Sequence, residues 1–285
     1  MRRFRLEPSA RRVFAACILA AAAACAMPGA QAAASQGNWW VYVHNDNAPE
    51  IRELLAGGAD PNVRYKNGQP ALMRAVVDGA WQVFDVLAAD PHIDLEAVNP
   101  ANETALMYLA VAGQTERARA LIARGAQVNR LGWTPLHYAA SKGHVDTARL
   151  LLAHKAMVNA PSPEGTTPLM MAALSGSREM VQLLLDAGAD VTTRNLKGQN
   201  AADWAYQGKA GKLGAELATL IAKAEQRRDA QRGGQMPAAP AAATPAPAAA
   251  QPEPRTTSPR AQTPAEPESD APSLSGVSGV KLNKY

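Results

Sequence analysis

The chain has 285 residues, 47% of them hydrophobic and 5% aromatic, with two cysteines and a formal net charge of +4. That charge is no warrant for nucleic acid or another acidic partner: residues 1–32 hold Arg2, Arg3, Arg5, Arg11 and Arg12 against Glu7 alone, and the remainder is neutral. Cys17 and Cys25 lie in the same stretch, so a chain lacking it has no disulfide, thiol nucleophile or thiolate metal site.

Residues 1–32 read as a signal peptide. An Arg-rich start precedes an apolar run from Val13 to Met27, and Ala30-Gln31-Ala32 fits a small-residue cleavage site. The run is shorter than the roughly 20 residues a membrane-spanning helix needs, so a cleaved leader, and no membrane contact after its removal, is the expectation. Arg11-Arg12-Val13-Phe14 resembles the core of a twin-arginine signal. An ordinary basic leader is preferred, because Ala10 stands where Ser or Thr is usual.

From residue 38 the sequence repeats. Aligning Leu136 with Trp39, Leu72, Leu106, Leu169 and Ala202 gives successive spacings of 33, 34, 30, 33 and 33 residues. The best-formed copy begins Thr134-Pro135-Leu136-His137. Thr134 can cap a helix, Pro135 suits its first position, and Gly143 can take the left-handed conformation that ends it. Val145, Ala148, Leu151 and Leu152 then recur at helical spacing. Such a hairpin is too small to bury its own core and must stack on copies of itself.

The T-P-L-H-x-A-A pattern, with the following turn seen in Leu54 to Asp60 and Leu184 to Asp190, resembles the ankyrin repeat family, most closely over 132–160 and 165–194. The resemblance covers about residues 38–228. It implies an all-α fold: an ankyrin-repeat solenoid of stacked helix-turn-helix hairpins with short loop fingers, about six repeats including degenerate caps.

In the first copy, Trp39, Trp40, Val41, Tyr42 and Val43 are bulkier than their internal equivalents, as expected of an end repeat that must cover its own outer face. The second has Gln69-Pro70-Ala71-Leu72, which weakens the helix cap, and the third leaves by a loop three residues short. The sixth opens with Asn200-Ala201-Ala202-Asp203, and its last helix sets Leu213, Leu217, Leu220, Ile221 and Ala224 against charged residues. Residues 229–285 are expected to form a disordered Pro/Ala-rich tail, because 237–272 hold 10 of the 21 prolines and no aromatic residue. The closing Ser273 to Tyr285 segment reads as solvated, with a short recognition motif as the alternative.

No recognised catalytic or cofactor pattern is present: no G-x-S-x-G, no H-E-x-x-H, no phosphate loop and no paired cysteine ligands. The protein is therefore not expected to be an enzyme or to carry a cofactor. The spacing of His44, His92, His137, His144 and His154 suggests no metal site. The family resemblance gives His137 a structural role, bonding neighbouring repeats through backbone groups.

In ankyrin-like stacks the short helices and fingers line one concave face that docks partner proteins. Carrying the register over places Lys66, Asn67, Gln69, Glu103, Arg130, Leu131, Trp133, Glu164, Thr166, Lys197 and Gln199 at finger tips, and Asp78, Ser141, Lys142 and Ser175 on the helices beneath. Trp133 is the sharpest candidate, as an exposed aromatic anchor; the alternative is that it packs on the next finger. Tyr108, Tyr138, Met171 and Trp204 share one register position, where framework packing is preferred to a binding stripe, and Trp81 reads as core. The expected protein is thus an exported bacterial ankyrin-repeat scaffold, periplasmic or secreted, that binds another protein without catalysis. An accessory factor protecting or maturing a periplasmic enzyme, and a secreted effector binding host proteins, are the alternatives.

Overall fold

The structure, a computed structural model, describes residues 38–233. The expected signal peptide, and the tail beyond residue 233, lie outside the described residues. The described chain contains twelve α-helices and no strand. It falls into two compact units that divide between Gln127 and Val128, where the repeat spacing drops to 30.

The first unit carries α1 (Trp39–His44), α2 (Ala48–Ala56), α3 (Ala71–Asp78), α4 (Trp81–Ala89), α5 (Ala105–Ala112) and α6 (Thr115–Ala123). Each odd helix pairs with the next to make a hairpin. In the inner layer α3 packs between α1 and α5, and in the outer layer α4 packs on α2. Leu72, Met73, Val76, Phe84, Leu87, Leu106, Met107 and Leu109 form the core between the layers, each at most 2% exposed. Burying side chains of this size contributes roughly 2 kcal/mol each, which supplies the drive to stack that one hairpin lacks. At the outer end Trp39 and Val43 are buried and Val41 is exposed, so the aromatic start of the chain does cover its own repeat.

The second unit carries α7 (Pro135–Lys142), α8 (Val145–Ala153), α9 (Pro168–Ser175), α10 (Arg178–Asp186), α11 (Ala201–Gln207) and α12 (Gly211–Gly233). Here α9 packs between α7 and α11, and α10 packs on α8. Helix α7 has the capping the sequence implies: Thr134 and His137 form a reciprocal capping box, Pro135 occupies the first turn, and Gly143 closes the end at φ 71°. Ala139 and Ala140 are completely buried, and their small side chains let the neighbouring inner helix come close. Helix α11 opens with a second capping box, Asn200 with Asp203, which substitutes for the missing Thr-Pro.

Helix α12 continues past residue 228 to Gly233 and buries Leu213, Leu217 and Ile221. Leu220, grouped with those residues by sequence, instead stays 42% exposed beside α10. Trp81 also departs from expectation. It is half-buried rather than core, with the Arg117 guanidinium 4.8 Å above its ring while Arg117 also pairs with Asp85 at 2.8 Å.

Candidate functional site

Five fingers are built on one local device. A left-handed residue stands four positions before Leu72, Leu106, Leu136, Leu169 and Ala202 of the inner helices: Gly68 (φ 78°), Asn102 (φ 59°), Gly132 (φ 82°), Gly165 (φ 76°) and Gly198 (φ 74°). The chain reverses there. Closing bonds run across the turn from Tyr65 N–H to Gln69 O, Asn99 N–H to Glu103 O, Ser162 N–H to Thr166 O and Asn195 N–H to Gln199 O. A short polar side chain reinforces three of these closed turns. Asn99 Oδ1 accepts from Ala101 and Glu103, Ser162 Oγ from Glu164 and Thr166, and Asn195 Oδ1 from Lys197 and Gln199, all at 2.9 to 3.3 Å.

This device corrects three of the finger-tip assignments. Gln69, Glu103 and Thr166 are 6%, 4% and 1% exposed. They occupy the position just before the helix cap, where the closing bond turns the side chain inward. The tips lie two and three residues before that position in each finger: Lys66 and Asn67, Pro100 and Ala101, Arg130 and Leu131, Pro163 and Glu164, Leu196 and Lys197. Glu103 instead anchors a buried network, in which the Tyr108 hydroxyl donates to Glu103 Oε2 at 3.1 Å and Asn99 Nδ2 donates to the same oxygen at 2.7 Å. Burial, aided by the Glu103 charge, pushes the Tyr108 phenol up to about 12.

His137 does the corresponding work in the second unit. It is completely buried, with Nε2 3.0 Å from Thr166 O and Nδ1 3.1 Å from Thr134 N. The Thr134 N–H can only donate, so Nδ1 is the acceptor and the proton sits on Nε2, which donates to Thr166 O. A neutral ring is required, and burial pulls the imidazole down to about 4. The side chain therefore ties the cap of α7 to the base of the next finger, the role the family resemblance implied.

The other assigned residues are placed as follows. Lys66 and Lys142 are exposed, Arg130 and Trp133 half-buried. Trp133 meets His137 and Tyr138 edge-on at 5.2 and 6.4 Å, so part of its ring is framework and part remains accessible. The hydroxyls of Ser141 and Ser175 donate back to Tyr138 O and Ala172 O within their own helices. Asp78 is held by both arms of Arg74 at 2.6 and 2.7 Å, with His44 Nδ1 3.6 Å away. Tyr108, Tyr138, Met171 and Trp204 are all buried, which makes that register framework and not a binding stripe.

Sequence reasoning missed the first of two features and half of the second, since it placed Leu131 at a finger tip but not Leu196. In the first unit, Trp40 and Tyr65 meet edge-on at 5.0 Å and the Arg74 guanidinium lies 4.7 Å above the Tyr65 ring, a half-buried shelf of residue types that dominate binding surfaces. In the second, the tips present Leu131 at 96% exposure and Leu196 at 82%. A leucine between two polar finger residues was the available signal for Leu196. Successive fingers touch in this unit, since Leu196 N–H donates to Glu164 O at 2.9 Å and Lys197 lies 3.9 Å from Glu164.

Among the described residues no group of three or more His, Cys, Asp or Glu side chains is placed to hold a metal ion, and no helix is long and apolar enough to cross a membrane. Most of the buried polar side chains named above bond to the framework that holds the fingers. Hairpins stacked in this way, with locked finger bases and variable tips, define a repeat protein whose chemistry lies in the surface it displays.

The chain belongs to the ankyrin repeat family: the family model for ankyrin repeats (3 copies) matches residues 39–131 and 127–195. Repeats of this family serve as protein–protein interaction scaffolds. The chain is similar to a probable E3 ubiquitin-protein ligase, XBOS32, from Oryza sativa subsp. japonica, 32% identical over 48% of this chain and 28% of that protein. It is also similar to the mitochondrial disaggregase of Homo sapiens, 26% identical over 67% of this chain and 27% of that one. A third relative is ankyrin repeat and SAM domain-containing protein 6 of Rattus norvegicus, 35% identical over 67% of this chain and 18% of the relative. The chain thus spans less than a third of each of these relatives.

Proposed function

We propose that the protein is an exported, non-catalytic scaffold that docks a partner protein on its finger tips and inner helix faces. The observation that carries this reading is the contrast within single fingers: bases locked by buried groups, and tips showing Leu131 and Leu196 almost fully to solvent. Leu196 rides on a turn closed by the Asn195–Gln199 backbone bond and so loses little ordering entropy when a partner covers it, and Leu131 adds a second apolar tip just before the capped start of α7. Arg130 and Trp133 flank the first tip in the second unit, with Lys142 exposed at the far end of α7, and the Trp40, Tyr65 and Arg74 shelf offers the first unit a comparable anchor.

Affinity capture from the cells that make the protein tests this. Wild type is compared with Leu131→Asp plus Leu196→Asp, which leave every core contact in place. Loss of the specific partners, with unchanged circular dichroism, is expected. Full retention of those partners by the double variant overturns the choice of surface. The Arg-rich start, the apolar run and Ala30-Gln31-Ala32 support export to the periplasm or beyond. Mature chains beginning at Ala33 in the periplasmic fraction or the medium are expected, and an intact Met1 chain confined to the cytosol refutes that part.

A further inference from the structure

Where α12 leans on α10, an apolar groove of about 270 Å³ is lined by Leu185, Val191, Leu220 and Ala224, with Lys223 and Arg227 on its rim. Leu220, Lys223, Ala224 and Arg227 fall at i, i+3, i+4 and i+7, so one stripe of α12 presents both the floor and the cations. The cations on either side are already engaged: Arg194 pairs with Glu225 at 3.3 Å, and Arg228 donates to Thr192 Oγ1 at 2.7 Å. Lys223 and Arg227 form no ion pair among the described residues.

We propose that this groove is covered by the chain's own segment Glu266 to Leu274, which makes it an intramolecular docking site. The segment reads Glu-Pro-Glu-Ser-Asp-Ala-Pro-Ser-Leu, placing three carboxylates within five residues, followed four residues later by a leucine. No basic residue intervenes between Arg260 and Lys281, whereas the other acidic residue beyond Gly233, Glu253, has Arg255 beside it. The carboxylates match the Lys223 and Arg227 rim, and Leu274 matches the floor around Leu220.

Length permits the return. Thirty-two residues lie between Gly233 and Glu266, which extended would reach about 100 Å. The groove begins only about 9 Å back along α12 at Arg227 and ends about 20 Å back at Leu220, at 1.5 Å per helical residue. A tether of this kind sets an effective concentration in the millimolar range, enough for a weak contact to be populated. Pro267 and Pro272 bias Glu266 and Ala271 towards extended backbone, which lowers the ordering cost.

Methyl NMR on the full chain reads the contact directly. Cross-peaks between Leu274 and the methyls of Leu220, Leu185 or Val191 are expected in wild type. They should vanish in Lys223→Glu plus Arg227→Glu, two exposed substitutions that leave the buried face of α12 untouched. Adding Glu266→Lys, Glu268→Lys and Asp270→Lys to that variant should bring them back, because the ion pairs are then reversed and not removed. Absence of the cross-peaks in wild type overturns the proposal. So does their survival in the double variant. Cross-peaks that prove to be between molecules in a mixed-label sample also overturn it, assigning the groove to a second copy instead.

Discussion

His137 is the place where one titratable ring reports on the whole framework. Its folded pKa, about 4, lies below the ordinary 6.5 of the unfolded chain. The unfolded chain therefore binds the extra proton, and the stability this group contributes is fully present above pH 6.5. It is lost as pH falls towards 4 and changes no further below that. Integrating between the two values gives a loss of about 2 kcal/mol on going from pH 7.5 to pH 5, and about 3 kcal/mol once both states are protonated. Other groups titrate too, so the comparison that isolates the ring is wild type against His137→Gln, which cannot titrate in this range. Urea unfolding followed by circular dichroism at pH 7.5, 6 and 5, at constant ionic strength and with constant m-value, supplies the difference. Wild type should be the more stable at pH 7.5 and should lose about 2 kcal/mol more than the variant by pH 5. Parallel profiles would refute the neutral, doubly bonded ring. His137→Ala gives a separate check: the Thr134 N–H loses its acceptor and Thr166 O keeps only the Ser162 N–H, so a loss of about 1–3 kcal/mol is expected.

The finger bases and tips should respond differently. Asn195→Ala removes the acceptor of two turn N–H groups and should cost about 1–3 kcal/mol in denaturant unfolding, whereas Lys197→Ala at the neighbouring tip should stay within about 0.5 kcal/mol. Gly165→Ala combines a left-handed φ of 76° with a Cβ only 3.3 Å from Asn195 Cα, and a loss of at least about 1 kcal/mol is expected; an unchanged midpoint would show that the finger yields easily. Glu103→Gln removes the charge beside Tyr108, so its phenol, followed by absorbance as pH rises, should ionise below about 12 but above 10, because burial remains the larger cause. Ionisation unchanged by the substitution would show that the carboxylate is not what the phenol senses.

The repeat period, the helix caps and the buried inner faces could be read from sequence because they depend on local rules. Thr134, Pro135 and Gly143 each carry their structural meaning in their own side chain, or in its absence. The finger tips could not be read as reliably. Projecting one register over five copies assumed that the residue before each cap faces outward, and nothing in Gln69, Glu103 or Thr166 as polar residues warns otherwise. Their inward turn follows from a backbone bond that closes across the left-handed residue, set by φ at Gly68, Asn102 and Gly165 and not by the type of the residue that turns. Trp81 misled for the opposite reason: a large apolar ring suggests core, but Arg117 supplies a cover that lets it remain half-buried at the surface.

The same closing bond separates stability from recognition along a few residues of chain. Because Ser162, Thr166 and His137 hold the base of one finger and Asn195 and Gln199 the base of the next, and the tips join in through their backbone groups, the tip side chains contribute little to holding the turn. Pro163 and Glu164 at one tip, and Leu196 and Lys197 at another, differ in size, charge and polarity, yet the turns they ride on share the same left-handed residue and the same closing bond. A surface assembled this way can change partner by substitution at the tips without loosening the stack, and an apolar tip such as Leu131 or Leu196 is tolerated because its exposure leaves the fold's own core intact.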